Sequence, residues 1–233
     1  MFFKDRLIPG LLIKRYKRFF VDVKVGNLIV TAHCPNTGSM SGILKKNNKV
    51  WLSKSDNPKR KLKYTLEIIE INGSKVGVNT HSANKIVKHA LQNNLVKELK
   101  NVIEIKPEKK FGKNTRFDFF LKNKKFKAFV EVKNVTLSRK KNLAEFPDAI
   151  TSRGLKHIKE LINASKKNYK IYILFLIQRT DCKYFTIAKD IDLEYAKTLN
   201  KAVKKKLKVL SYDCKFSSKG IKLNNKIKFK KNV

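Results

Sequence analysis

A change of hydrophobic rhythm near residue 83 limits the fold more than any other feature of the chain. Before it, short runs of strand-forming residues alternate with turn chemistry, and no stretch carries helical spacing. "FFVDVKV" (19–25) leads through "GN" into "LIVTAHC" (28–34), which predicts a hairpin. After the Gly- and Ser-bearing loop "PNTGSMSG" (35–42) come strands at 49–53, 63–71 and 76–80, separated by "SDNPKRK" and "NGSK". Five short strands with such turns predict a small barrel of oligonucleotide-binding (OB) type over residues 1–83. From residue 84 the pattern mixes periods. "ANKIVKHALQNNLVKELK" (83–100) sets Ile86, Val87, Ala90, Leu91, Leu95 and Leu99 at helical spacing. Strands at 102–106, 115–121 and 126–135 follow, the last two joined by "KNKK" as a hairpin. A helix at 152–165, the strand "IYILFLI" (171–177), a helix at 191–206 and a strand at 207–214 complete the series. The order α-β-β-β-α-β-α-β predicts a mixed sheet covered by helices over 84–233, so the chain is expected to be α/β with an N-terminal barrel. The stretch 215–233, rich in Lys and free of acids, reads as a short hairpin or a loose basic tail. There is no internal repeat.

The formal net charge is +37, from 55 Lys and Arg against 18 Asp and Glu. A field of that sign attracts polyanions, so nucleic acid is the first partner to expect. Drift toward A- and T-rich codons also loads a surface with Lys, and 47 of the 55 basic residues are Lys. The eight arginines are therefore the more informative cations, because a guanidinium offers the planar fork that matches phosphate. Basic and aromatic residues interleave at strand spacing in "RYKRFF" (15–20), which suits stacked bases and phosphates. With "NPKRK", this nominates Arg15, Lys17, Arg18, Lys59, Arg60 and Lys61 as nucleic-acid contacts. Cys34, Cys182 and Cys214 lack zinc spacing and read as reduced thiols. Asp5 and Arg6 interrupt any apolar leader, and the longest apolar run has seven residues, so a cytoplasmic protein without a membrane span is expected. The basic residues are spread over strands rather than along one helix, so a membrane-surface role is not expected.

The passage "RFDFFLKNKKFKAFVEVK" (116–133) holds the chemistry. Side chains alternate along a strand, so Arg116, Asp118 and Phe120 are expected on one face and Glu131 with Lys133 on another, opposite Val130 and Val132. If the hairpin register joins those faces, Asp118, Glu131 and Lys133 converge. Two close carboxylates repel unless a cation joins them, and hard oxygen ligands suit Mg²⁺ or Mn²⁺. Such a centre activates water against a phosphodiester. The alternative is a solvated Glu–Lys pair at a sheet edge; E-x-K also occurs at 98–100 and 104–106. The four histidines show no metal spacing. Ser39 and Ser41 lack a nucleophile elbow, so their loop reads as a turn or a phosphate cradle of backbone N–H groups, and no Gly-rich loop has P-loop or dinucleotide spacing.

Several stretches in collinear order, "RYKRFFVDV", "HCPNTGSM", "DNPKRKLKYT", "VGVNT", "RFDFFL…FVEVKNVTL" and "FPDAITSRGLKHIKELI", closely resemble the sugar fermentation stimulation protein A family, from about residue 11 to residue 214. The resemblance implies an OB-type barrel followed by a restriction-endonuclease-like domain of the PD-(D/E)xK class. It also implies sequence-tolerant DNA binding and a link to regulation of sugar (maltose) metabolism. In that superfamily the roles of metal ligand and water activator map onto Asp118, Glu131 and Lys133, with a further acid that Glu98 or Glu108 would supply. Arg153, Lys156 and His157 on the following helix, with Arg116, would clamp the nucleic-acid backbone, and Asp148 would be an extra acid or a helix cap. The family takes its name from a phenotype rather than a reaction. The expectations are thus a protein that binds duplex DNA without sequence preference and carries a metal-dependent nuclease site, a non-catalytic DNA-binding regulator, or an RNA-binding or processing protein.

Overall fold

A computed structural model describes residues 1–112 and 115–230. Strands β1 (Ile8–Tyr16), β2 (Phe20–Val25), β3 (Leu28–His33), β4 (Lys49–Lys54) and β5 (Tyr64–Ile71) form a sheet in the order β3-β2-β1-β4-β5. It closes into a barrel where β3 meets β5 in parallel at Ala32↔Tyr64 and His33↔Thr65. Alternation in β2 buries Val21 and Val23 while Asp22 and Lys24 face out; Leu12, Leu52, Leu66 and Ile69 fill the same core. β6 (Ser74–Gly77) adds one more strand beside β5.

The first strand was not legible, because Pro9 and Gly10 punctuate it. Gly10 is required by packing: a Cβ there would lie 2.5 Å from Val23 Cγ1 and 2.8 Å from the Lys24 carbonyl. Nor is "RYKRFF" one extended segment. Lys17 and Arg18 turn with φ of 45° and 60°, and Tyr16 pairs back onto Phe20.

Helix α1 (His81–Gln92) opens the second domain. It stops well short of residue 100, since Asn94 takes a φ of 54° and a 3-10 turn (Lys97–Leu99) follows. Strands β7 (Glu104–Phe111), β8 (Thr115–Lys122) and β9 (Lys127–Val135) precede a small hairpin, β10 (Leu137–Lys140) and β11 (Leu143–Phe146). Next come α2 (Ser152–Lys166), β12 (Lys170–Ile177), β13 (Tyr184–Ile187), α3 (Leu193–Lys204), β14 (Lys208–Ser217), β15 (Gly220–Lys226) and β16 (Lys228–Phe229). The main sheet runs β15-β14-β12-β9-β8-β7, with β9, β12 and β14 parallel. On one face Ile86, Val87 and Leu91 of α1 pack on Phe119, Val130 and Leu174; on the other Ile158, Leu161 and Leu199 of α2 and α3 pack on Phe129, Ile173 and Phe175.

The short strands β10, β11 and β13 were not anticipated; they form a separate sheet with β16. The basic stretch after 215 is no loose tail: β15 pairs with β14, and Lys230 N donates to Phe185 O. Its last three residues lie outside the described residues. Phe3 N donates to Lys219 O, so the residues before the barrel lie on the second domain. The two domains also bond directly, Gly77 N donating to Gln178 O at 2.8 Å and Lys75 N to Thr180 Oγ1 at 3.0 Å. Among the described residues no helix is long and apolar enough to cross a membrane.

Candidate functional site

The β8–β9 ladder runs from Lys122↔Lys127 to Phe119↔Val130 and stops. The next rung would set Asp118 against Glu131; instead the strands part. Asp118 Oδ2 takes over the ladder's role by accepting the Val132 N–H at 2.7 Å, and its Oδ1 accepts from Asn84 Nδ2 of α1 at 2.8 Å. On the neighbouring strand the ladder skips Glu108, which has a φ of 50°. This local break corrects the expected single face for Arg116, Asp118 and Phe120. Phe117 packs with Phe120 on the α2 side, while Phe119 packs on the α1 side.

Alternation in β9 is regular. Val130 and Val132 enter the α1 core, and Glu131 and Lys133 face the other way. Glu131 is 2 % exposed. Its Oε1 accepts from Lys133 Nζ at 2.8 Å and is in close contact with His157 Nδ1 of α2, whereas its buried Oε2 has no hydrogen-bond partner. Burial would raise the Glu131 carboxyl, but Lys133 and His157 outweigh it and hold the group below its ordinary range. Asp118 goes the other way. Burial first, then the Glu131 charge, push its carboxyl up to about 6, against the opposing bonds from Val132 and Asn84. The Tyr195 hydroxyl, buried and unpartnered, is raised by burial and then by the charges of Glu131 and Asp192.

Asp118, Glu131 and Lys133 line a cavity of about 380 Å³, together with Asn84, Arg153, the barrel loop 36–38 and the segment 145–151. A larger groove of about 850 Å³ lies between the ends of α2 and α3, lined by lysines and apolar side chains without any acid. Among the described residues no group of three or more His, Cys, Asp or Glu is arranged to hold a metal. The carboxylates lining the cavity are those of Asp118, Glu131, Glu145 and Asp148, with Glu145 tied to Arg139.

The other expected site residues separate. Glu98 accepts from Tyr212 OH at 2.6 Å and from Lys226, and does not line the cavity. Glu108 lines an adjoining recess with Lys110, Arg116, Arg153, Lys156 and His157. His157 is buried against Glu131, which corrects its expected role as a clamp on nucleic acid. Asp148 lines the cavity but caps no helix, since Thr151 caps α2 by accepting from Gly154 N. Arg15 turns inward, donating to the carbonyls of Arg18, Gly38, Ser39 and Asn36. Arg60 is half-buried and donates to Thr65 Oγ1. Lys17, Arg18, Lys59, Lys61, Arg116, Arg153 and Lys156 are exposed. Sequence reasoning missed Asn84 and Tyr195. The signal for His157 was present, because it sits with Gly154, Ile158 and Leu161 on the core-facing stripe of α2.

Two family models match the chain: the SfsA N-terminal OB domain over residues 13–78 and the sugar fermentation stimulation protein RE domain over residues 81–220. The sugar fermentation stimulation protein homolog of Pelagibacter ubique is 60% identical over 228 residues, covering 98% of each chain. That of Maricaulis maris is 45% identical over 219 residues, covering 93% of each. Among solved structures, Pyrococcus furiosus SfsA in complex with Ca²⁺ superposes with a TM-score of 0.90 over 99% of this chain and 98% of that one, at 24% identity, a likeness of fold. On the family models and these relatives, the chain belongs to the sugar fermentation stimulation protein family.

Proposed function

We propose that the protein binds DNA and hydrolyses its phosphodiester bonds at Asp118, Glu131 and Lys133 with Mg²⁺ or Mn²⁺. Family membership and the OB barrel fit a DNA-binding protein. One observation carries the hydrolytic reading: Glu131 keeps a buried, unpartnered Oε2 beside an Asp118 carboxyl that burial and Glu131 itself push up to about 6. A buried polar atom without a partner is costly, and so is ionising Asp118 beside the Glu131 charge. Asp118 and Glu131 would hold a divalent cation, which would supply the positive charge that both groups lack. Two carboxylates with water and phosphate oxygens suit Mg²⁺, which keeps several waters, and do not suit zinc. The P. furiosus relative was solved with Ca²⁺, another hard, oxygen-seeking cation.

When bound, the cation would supply charge neutralisation and a more acidic water. The chain's own residues do the rest. Asp118 and Glu131 Oε2 present the oxygens. Lys133, held at 2.8 Å from Glu131 Oε1, orients a water or steadies charge developing on the phosphate. Asn84 and the Val132 N–H fix the Asp118 carboxylate. The test is plasmid nicking in Mn²⁺, Mg²⁺ or EDTA, with Glu131→Ala and Lys133→Ala beside the wild type. Metal-dependent cutting absent from both variants, with DNA affinity retained, is the expected result. Cutting that survives Glu131→Ala would refute the reading.

A further inference from the structure

The barrel reaches over the candidate site. Loop 36–41 comes from the N-terminal domain, yet Asn36, Thr37 and Gly38 line the same cavity as Asp118, Glu131 and Lys133. Gly38 closes against the far wall: a Cβ there would stand 2.2 Å from Asp148 Oδ2, and next to it Ser39 Oγ donates to Asp148 O at 3.1 Å. The loop is also anchored from behind. Arg15 donates to the carbonyls of Asn36 (2.7 Å), Gly38 (3.2 Å) and Ser39 (3.4 Å), Asn36 Nδ2 donates to Val78 O, and Thr80 Oγ1 to Pro35 O. The cavity thus has a continuous wall built from both domains.

Its dimensions decide what can enter. The cavity holds about 380 Å³, and loop 36–41 bridges across it to Asp148. The reactive groups sit deep, with the side chains of Lys133 and Glu131 only 13% and 3% exposed. A single strand bends at each phosphate and can follow a cleft that is bridged from above, a path a stiff duplex takes only by unpairing locally. The exit is lined for such a strand. Arg153 borders both this cavity and the adjoining recess, where Arg116 and Lys156 stand beside it.

We infer that the site takes single-stranded nucleic acid, or an unpaired segment of a duplex, passing beneath the bridge that barrel loop 36–41 makes with Asp148 of the segment 145–151. The inference rests on the hydrolytic reading for what happens to the strand, but not for its entry. Wild-type protein in Mn²⁺ should cut a 24-nucleotide DNA strand about 100-fold faster than the same sequence in a blunt duplex, the penalty of unpairing that base-extruding enzymes meet. On a duplex with an unpaired arm, cuts should fall in the arm. Arg15→Ala, which frees the loop, should shrink the single-strand preference at least tenfold, a ratio insensitive to any general loss of DNA affinity; a melting curve checks that the variant is folded. Hydrogen–deuterium exchange in EDTA gives a readout without cleavage: the single strand should protect peptides spanning 36–39 and 145–151, and the duplex should not. If nothing is cut but the strand alone protects those peptides, the hydrolytic reading falls and the inference stands. Equal cutting or equal protection by the blunt duplex, or no protection by the single strand, would overturn it.

Discussion

Replacing Asp118 by Asn should stabilise the protein in EDTA while destroying its cation site. The Asp118 carboxyl is pushed from the model-peptide 3.8 up to about 6 by burial and by Glu131. That gap of about 2 units corresponds to about 3 kcal/mol against the ionised form at alkaline pH. An Asn side chain carries no charge and keeps the geometry. Its oxygen can accept the Val132 N–H, and its amide can donate to Asn84 once that amide turns over. We therefore expect Asp118→Asn to gain about 1–3 kcal/mol at pH 8. The pH dependence has a definite sign. Because the folded-state pKa lies above the unfolded one, the folded protein holds a proton that the unfolded chain has released, so wild-type stability falls as pH rises from about 4 through about 6. The advantage of the variant should be full above pH 7 and vanish near pH 4. Urea unfolding followed by circular dichroism at pH 8, 6 and 4 measures it. Millimolar Mn²⁺ should then stabilise the wild type and leave the variant unmoved. A variant less stable than wild type at every pH, or a difference that ignores pH, would refute the electrostatic account of the pair.

His157→Ala should weaken Mn²⁺ binding measured by calorimetry by about 10- to 100-fold, because it removes the Nδ1 that fixes Glu131 Oε1, while His157→Asn, which keeps a donor near Nδ1, should lose far less. Glu98→Gln should leave both Mn²⁺ affinity and cleavage unchanged and lower thermal stability slightly, since its partners are Tyr212 and Lys226 rather than the cavity. DNA affinity should fall steeply between 50 and 200 mM salt, with a log–log slope that drops by about one for each contacting cation removed, Arg153→Ala being the first to try.

Regular periodicity was legible in the sequence; its interruptions were not. The alternation of β2 and the helical stripe of α2 were readable because one face of each is buried and a slip of one residue would invert it; in β9, buried on both faces, only the charges of Glu131 and Lys133 marked the alternation. The parting of β8 from β9 at Asp118 could not be read, because it depends on a side-chain carboxylate capturing the Val132 N–H. Nor could the choice between Glu98 and Glu108: both fit the spacing, and only the fold carries Glu98 off to Tyr212. Arg15 shows the same limit from the other side. A guanidinium in a basic, aromatic stretch invites phosphate, yet carbonyls of loop 36–39 satisfy it first. Short strands such as β13 carry too few residues to establish a period at all.

The hydrogen bond from Phe3 to Lys219 joins residues that ribosomal synthesis makes at nearly opposite times. The barrel strands β1 to β5 and their closing pair are all in hand by residue 71, so this unit can fold while the rest is still being made. The second domain must wait for β14 and β15, which supply one side of its main sheet and the bed for residues 1–3. Until then the edge of β12 has no partner strand on that side. The nascent chain thus passes through a stage in which a finished basic barrel is tethered to an unfinished sheet, and a chaperone or an early polyanion would meet the barrel alone.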